Sequence, residues 1–299
     1  MPSVLLPVPI PAVLLALTAA LVFAVGAVAQ QQEAANIEHR GAAFITSLLK
    51  SPRWWAATIG DSCGYVLQAI ALGVGSILVV QPLLIVSLVF ALPIAARWNA
   101  RPIRRREIVW AIVIAGSLAV FLIVGDPGGG LDTTPFRRWI PSMIACGVLC
   151  VVGFGLFATR APWGRGVGLA VVAGTLFGFG SALTKSIVHI IPNGIGEIVG
   201  SWETYALVVT GLIALTCQQL AFQAGSLEIS FPAAIVLDPL VGVAVGIAAL
   251  EERIHTDGLG WALIGISAVA MVAGTLALAR AGAPTPPTTH TPIIPAGTR

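Results

Sequence analysis

The stretch ILVVQPLLIVSLVFALPIAA, residues 77–96, decides the fold class of this chain. Its twenty residues carry no charge, and a helix of about 20 apolar residues spans the hydrocarbon core of a bilayer. The whole chain of 299 residues has the same character, because 57% of its residues are hydrophobic and only 10% are charged. Soluble domains carry about 25% charged residues. The composition predicts a membrane protein and excludes a soluble enzyme and a disordered chain.

Nine apolar segments, this stretch among them, are long enough to cross the membrane, and their continuous runs favour helices over a barrel. We expect an all-α, polytopic membrane bundle of nine transmembrane helices, TM1 to TM9. They cover Pro11–Ala29, Trp54–Leu72, Val74–Ala96, Ile108–Val124, Trp139–Ala158, Val167–Ile187, Thr204–Phe222, Leu227–Leu250 and Leu259–Ala279. Several ends carry a tryptophan, which is typical of the membrane interface, namely Trp54, Trp55, Trp98, Trp110, Trp139, Trp202 and Trp261. The tail 283–299 is rich in proline and threonine and is predicted to be disordered.

The basic residues are distributed unevenly between the two sides of these spans. All but four of the 16 Lys and Arg residues fall in alternate loops and in the C-terminal tail, and the exceptions are Arg137, Arg138, Lys185 and Arg253. The positive-inside rule places the richer side in the cytoplasm. We therefore predict a plasma-membrane protein with its N-terminus outside and its C-terminus in the cytoplasm. A tenth span through 188–201 is disfavoured because this segment is short and contains Pro192 and three glycines.

An internal repeat relates the two halves of the chain. The stretch QAIALGVGSILVVQP (68–82) shares five identities with QQLAFQAGSLEISFP (218–232), without a gap. A weaker match pairs TM1 with TM6. Since these units begin five helices apart, the second is inverted in the membrane, as in many secondary transporters. We predict a first repeat over 1–158 (TM1–TM5) and a second over 159–282 (TM6–TM9), with a purely structural duplication as the alternative.

These features resemble the drug/metabolite transporter (EamA-like) superfamily. The resemblance rests on FxxG at Phe23, Gly75-Ser76 before a proline-bearing helix, and Asp238-Pro239 followed by Glu251-Glu252-Arg253. It implies transport by alternating access in a plan of five plus five helices. This chain has five plus four, which is more similar to the NIPA-like magnesium transporter branch. The partner of TM5 is absent, and those helices often form the dimer contact in this family, so a homodimer stays open.

Two acids inside predicted spans are the candidate cation or proton site. Asp61 lies about two turns into TM2, and Asp238 lies near the middle of TM8. Ionisable groups in a bilayer are costly and are usually functional. The alternative for Asp61 is a structural hydrogen bond to Ser62 or to a facing glutamine. The alternative for Asp238 is capping of a helix break beside Pro239.

Amide side chains and prolines complete the candidate site. Gln68, Gln81 and Gln218 are predicted to line a substrate path, with bonding between helices as the alternative. Three prolines are predicted as helix breaks or hinges, namely Pro82, Pro232 and Pro239. Two glycine pairs, Gly174/Gly178 and Gly242/Gly246, are interpreted as close packing between helices. Glu252 and the acids near it are interpreted as groups of an outer loop or of the interface. Lys185 is interpreted as an interfacial cation, with pairing to an acid inside the bundle as the alternative.

The sequence carries no catalytic, nucleotide-binding or metal motif, so we expect no enzyme activity, no cofactor and no nucleic-acid partner. The expected partners are the lipid bilayer and a small solute or cation, either Mg²⁺ or a metabolite coupled to protons. Mg²⁺ keeps several waters and binds through one or two carboxylates, so two acids are compatible with it. The alternative from another class is a scaffold or accessory subunit of an envelope or lipid complex that does not transport.

Overall fold

The computed structural model describes residues 9–35, 46–47, 49–98, 100, 102–158, 162–224 and 227–282. The predicted tail 283–299 lies outside these ranges. The long helices are α1 (Ile10–Ala35), α2 (Pro52–Val74), α3 (Ile77–Leu84), α4 (Val86–Trp98), α5 (Arg105–Gly125), α6 (Phe136–Phe157), α7 (Pro162–Ile190), α9 (Trp202–Ala224), α10 (Leu227–Leu250) and α11 (Leu259–Gly282). The short helix α8 (Ile195–Gly200) and the strands β1 (Pro127–Gly128) and β2 (Arg253–Ile254) lie in loops.

The helices form a multi-pass membrane bundle. Among the described residues, eight spans are long and apolar enough to cross a bilayer, with α3 and α4 counted as one span. The apolar part of α10 is shorter, Ala234–Leu250. Large apolar side chains such as Ile123 and Val151 are exposed on the outside of the bundle. In water such a surface would be unfavourable, and it fits contact with lipid.

Helix α7 lies at the centre of the bundle. More than three quarters of its span is buried, whereas half or less of every other described span is buried. It packs against α2, α6, α9 and α10. Gly174 and Gly178 of α7 let α10 approach closely, since a Cβ at Gly178 would lie 2.8 Å from the backbone nitrogen of Gly242. The interpretation of these glycines as close packing is confirmed.

The contact between α7 and α10 gives a stability prediction. We expect Gly178→Ala to lower the free energy of unfolding by about 1–3 kcal/mol, because the added methyl group overlaps the backbone of α10. Gly147→Ala on α6 is the matched control, because its added Cβ meets nothing within 4 Å. That variant should be neutral or slightly stabilising. Thermal unfolding in detergent measures both, and equal effects would contradict the packing argument.

The prolines affect the helices differently. The span Ile77–Trp98 is interrupted at Ile85, three residues after Pro82, where the Ile85 N–H donates to the Pro82 carbonyl at 3.2 Å. By contrast, α10 runs without interruption through Pro232 and Pro239. Helix α10 is therefore not broken at these two prolines, while their role as hinges stays a prediction. A proline removes one backbone hydrogen bond, and a helix held by its neighbours in a membrane bundle tolerates that loss.

One end of the bundle is closed by loops from both halves. Strand β1 follows α5, strand β2 follows α10, and they pair antiparallel, with Pro127 opposite Ile254 and Gly128 opposite Arg253. The His255 N–H also donates to the Gly125 carbonyl at 2.8 Å. The sequence predicts both loops outside the cell, so we call this the outer end. The segment 191–200 forms a 3-10 turn and the six-residue helix α8. Both are too short to cross a bilayer, so this segment is not a tenth span.

The tryptophans divide between the membrane surface and the interior. Trp55, Trp98 and Trp261 are exposed, as expected for interfacial residues. Trp139 is fully buried, with its ring edge-on to Phe179 and to Trp202. The interpretation of Trp139 as an interfacial anchor is therefore wrong. Its position near a helix end is typical of both environments, and only the packing of α6 against α7 decides between them.

Candidate functional site

A row of buried polar groups follows one face of α10, which we call the polar row. Asp238, Gly242 and Gly246 are four residues apart, so they share this face at spacings of about 6 Å. Glu252 lies beside Gly246, and Gln81 lies beside Gly242. The polar row therefore has three levels: Glu252 at the outer end, then Gln81, then Asp238 near the middle of α10.

The outer level is a buried carboxylate that binds three donors. Glu252 accepts the backbone N–H groups of Ile77 at 2.8 Å and Leu78 at 3.0 Å. Its third donor is the Lys185 ammonium group, at 2.6 Å. The Ser76 hydroxyl accepts the next N–H, from Val79, at 3.2 Å. The first turn of α3 is therefore capped, and a negative charge at this helix end is favourable.

The pair of Lys185 and Glu252 is removed from solvent. The Lys185 side chain is 4% exposed and the Glu252 side chain is 0% exposed. Glu252 follows Glu251, whose backbone φ of 55° lies in the left-handed region. This turn directs Glu252 back into the bundle, against Gly246. The interfacial interpretation is therefore wrong for both residues. The alternative for Lys185, pairing with an acid inside the bundle, is confirmed, because its ammonium group has a partner in the interior and does not need to reach water.

The next two levels contain polar atoms without partners. Gln81 is fully buried, and among the described residues neither its Oε1 nor its Nε2 has a hydrogen-bond partner. Asp238 is half-buried as a residue, but its Oδ1 is inaccessible and also lacks a partner among the described residues. Unpaired buried polar groups are costly. Water, a proton or a polar solute at these levels would remove that cost.

Helices α2 and α7 contribute further polar side chains next to the polar row. Gln68 donates from Nε2 to the Ser181 hydroxyl at 3.1 Å. This contact agrees with the alternative to a substrate path for Gln68, a hydrogen bond between helices. The Tyr65 and Thr184 hydroxyls are hydrogen-bonded one turn away on both helices. Tyr65 is also close enough to Asp238 for an electrostatic interaction. Tyr65, Ser181 and Thr184 were not predicted, because hydroxyl residues are too common in membrane helices to stand out.

Asp61 belongs to a different contact. Its Oδ2 accepts a hydrogen bond of 3.1 Å from Nε2 of Gln30 on α1. This agrees with the alternative of a structural bond to a facing glutamine. Its Oδ1 occupies the space where a Cβ of Gly26 would lie. Asp61 therefore stabilises the contact between α1 and α2, while Asp238 lies on α10 beside Gly178 of α7.

The remaining predicted residues are less informative. Gln218 is half-buried on α9, and its neighbour Gln219 is buried, with Nε2 unpaired among the described residues. The repeat partners Gln68 and Gln218 therefore have different surroundings. The side chain of Pro232 lies outside the described residues. Across the described ranges, no three His, Cys, Asp or Glu residues lie close enough to hold a metal ion together.

The chain is similar to a known protein over most of its length. No family model matches it. A protein of Corynebacterium glutamicum, described as uncharacterized, is 35% identical over 274 residues, which cover 90% of this chain and 94% of the relative. The chain belongs to the family of this corynebacterial protein. The shared region is long enough to include most of both halves of the bundle. No solved structure matches the chain.

Proposed function

We propose that the protein is a secondary transporter that moves a small solute or cation by alternating access. The observation that carries the proposal is the polar row between α3, α7 and α10. It joins a charged pair at the outer end to groups of Gln81 and Asp238 deep in the bundle that have no partner among the described residues. Polar groups at such depth in a membrane protein typically mark a solute or ion path.

The proposal includes nine spans in two inverted repeats, as in the drug/metabolite transporter superfamily. The packing supports this arrangement. In the first half α1 packs against α2, α3 and α4, and in the second half α7 packs against α9 and α10. The third helices of the two repeats meet, as α3 contacts α10, and the fourth helices meet, as α5 contacts α11. Such pairing is expected when a pseudo-twofold axis relates the halves.

Closure of the outer end by the pair of Lys185 and Glu252 is the second part of the proposal. This pair joins α3 of the first repeat to α7 and to the loop after α10, so those elements separate only when it breaks. Solute would then reach Gln81 and Asp238 from outside. The N-terminus would lie outside, the C-terminus in the cytoplasm, and the membrane would be the plasma membrane, in agreement with the distribution of Lys and Arg.

The nature of the solute follows from the groups that would meet it. Asp238 offers one carboxylate, and Gln81 offers an amide donor and acceptor. Such a set suits a small polar organic solute exchanged for protons. A divalent cation is the alternative, since hydrated Mg²⁺ needs few direct carboxylate ligands.

Flux through the purified protein tests the proposal. The protein is reconstituted in liposomes that contain a Mg²⁺ indicator and a pH indicator, and gradients of Mg²⁺ or of candidate metabolites are imposed. We expect solute flux above that of protein-free liposomes. A Mg²⁺ signal would identify the cation, and a pH signal that depends on a metabolite would identify proton coupling. Absence of every flux from correctly inserted protein would contradict the transporter and favour the scaffold.

A further inference from the structure

A cavity lies between α1 and α2, away from the polar row. Its volume is about 740 Å³, and it is open on one side. Its walls are formed by one face of α1 between Leu21 and Glu33 and one face of α2 between Arg53 and Gly60, and Trp98 at the end of α4 completes them. It exists because facing residues are small. A Cβ at Gly60, for example, would meet no atom within 4 Å.

The lining of this cavity is divided by polarity. The three polar lining residues, Gln32, Glu33 and Arg53, lie at one end, where α1 finishes and α2 begins. The rest of the lining is apolar or glycine and extends towards Leu21. The exposed Trp98 is typical of the headgroup level of a membrane. The cavity is therefore charged at the end near the headgroup level and apolar towards the membrane interior, which is also the order of headgroup and acyl chain in a phospholipid.

The length of the cavity also matches a lipid chain. Leu21 and Glu33 are twelve residues apart on α1, which is about 18 Å along a helix. Half the hydrocarbon core of a bilayer is about 15 Å. The cavity therefore extends through the depth of one leaflet, from the headgroup level to the region of the chain ends.

The charges at the polar end favour an anionic headgroup. Arg53 is exposed in the first turn of α2, and among the described residues it takes part in no ion pair. The nearby carboxylate of Glu33 is hydrogen-bonded to a neutral group. Its Oε1 accepts a hydrogen bond of 2.6 Å from the hydroxyl of Ser51, the N-cap of α2. A guanidinium group binds phosphate through two parallel hydrogen bonds. The positive end of α2 adds to this attraction.

We propose that this cavity is a binding site for an anionic phospholipid. One acyl chain lies along α1 between Glu33 and Leu21, and the phosphate contacts Arg53. The site uses no residue of the polar row and does not depend on transport. Failure of the transporter proposal would therefore leave it standing.

Native mass spectrometry of the purified protein tests this site. The protein is incubated with equal amounts of phosphatidylglycerol and phosphatidylcholine that have identical acyl chains. We expect the wild type to retain one phosphatidylglycerol. Gly60→Phe fills the cavity, and we expect it to reduce the retained lipid at least fivefold. Arg53→Gln keeps the apolar walls, and we expect a roughly fivefold loss of preference for phosphatidylglycerol, equivalent to about 1 kcal/mol.

Gly116→Phe on α5 is the matched control, because a Cβ at that residue also meets nothing within 4 Å. It should retain lipid as the wild type does. If Gly60→Phe does not fold, Ala56→Phe on the same wall replaces it. Equal retention by the cavity and control variants would overturn the site, and equal retention of the two lipids by the wild type would overturn the role of Arg53.

Discussion

Glu252→Gln is expected to lower the free energy of unfolding by about 3–5 kcal/mol, because it leaves the Lys185 ammonium group buried without a counter-charge. The same change removes the negative charge at the N-terminus of α3, where Glu252 accepts two backbone N–H groups. Thermal unfolding of the purified protein in detergent measures the effect. Lys185→Met should be similarly destabilising, since it leaves the buried carboxylate without its cation.

The neighbouring residue provides the control for this prediction. Glu251 forms an ion pair with Arg138 at the same end of the bundle, and both of those side chains are nearly half exposed. Exposed pairs contribute about 0–1 kcal/mol, so Glu251→Gln should have little effect. The double variant Lys185→Met/Glu252→Gln removes both charges and should recover part of the lost stability. Equal destabilisation by Glu251→Gln and Glu252→Gln would contradict the importance of burial.

Asp238→Asn is expected to reduce solute flux to the level of protein-free liposomes. Asparagine keeps the shape of the side chain but cannot carry a negative charge or a proton at this depth. Oδ1 of Asp238 has no partner among the described residues. The substitution therefore breaks no hydrogen bond between that atom and those residues. The variant should therefore insert and unfold as the wild type does while transport is lost. Flux and thermal unfolding on the same preparation separate these effects.

Asp257→Asn is the control, since Asp257 is an exposed acid in the loop before α11. It changes the net charge by the same amount and should preserve flux. Normal flux through Asp238→Asn would exclude Asp238 from the solute or proton path. The proposed path would then be left with its amide groups alone.

Eight of the nine predicted spans match helices that are long and apolar enough to cross a bilayer among the described residues, because apolar run length depends on local composition alone. The ends of TM8 were placed at Leu227 and Leu250, as in α10. The glycine pairs on α7 and α10 could also be interpreted correctly, because small residues four apart have few uses besides close packing. The common side of the loops after α5 and α10 followed from counting spans, and the pairing of β1 with β2 agrees with it.

The partners of the charged residues could not be predicted. Glu252 binds the N–H groups of residues 77 and 78, about 175 positions earlier in the chain, and no local pattern records such a contact. Lys185 near the end of a span is compatible with an interfacial position, and only the packing of α7 against the loop after α10 buries it. Asp61 appeared equivalent to Asp238 in sequence, and Gln30 on a neighbouring helix distinguishes them.

The capping of α3 by Glu252 also has a consequence for biosynthesis. Ile77 and Leu78 are synthesised long before Glu252, so the first half of the bundle enters the membrane while these two N–H groups lack the carboxylate that accepts them in the folded protein. Backbone N–H groups in that state need water or a temporary partner. The C-terminal half supplies the missing carboxylate only after α10 has been made. Glu252 therefore connects the completion of the chain to the final assembly of a helix made much earlier.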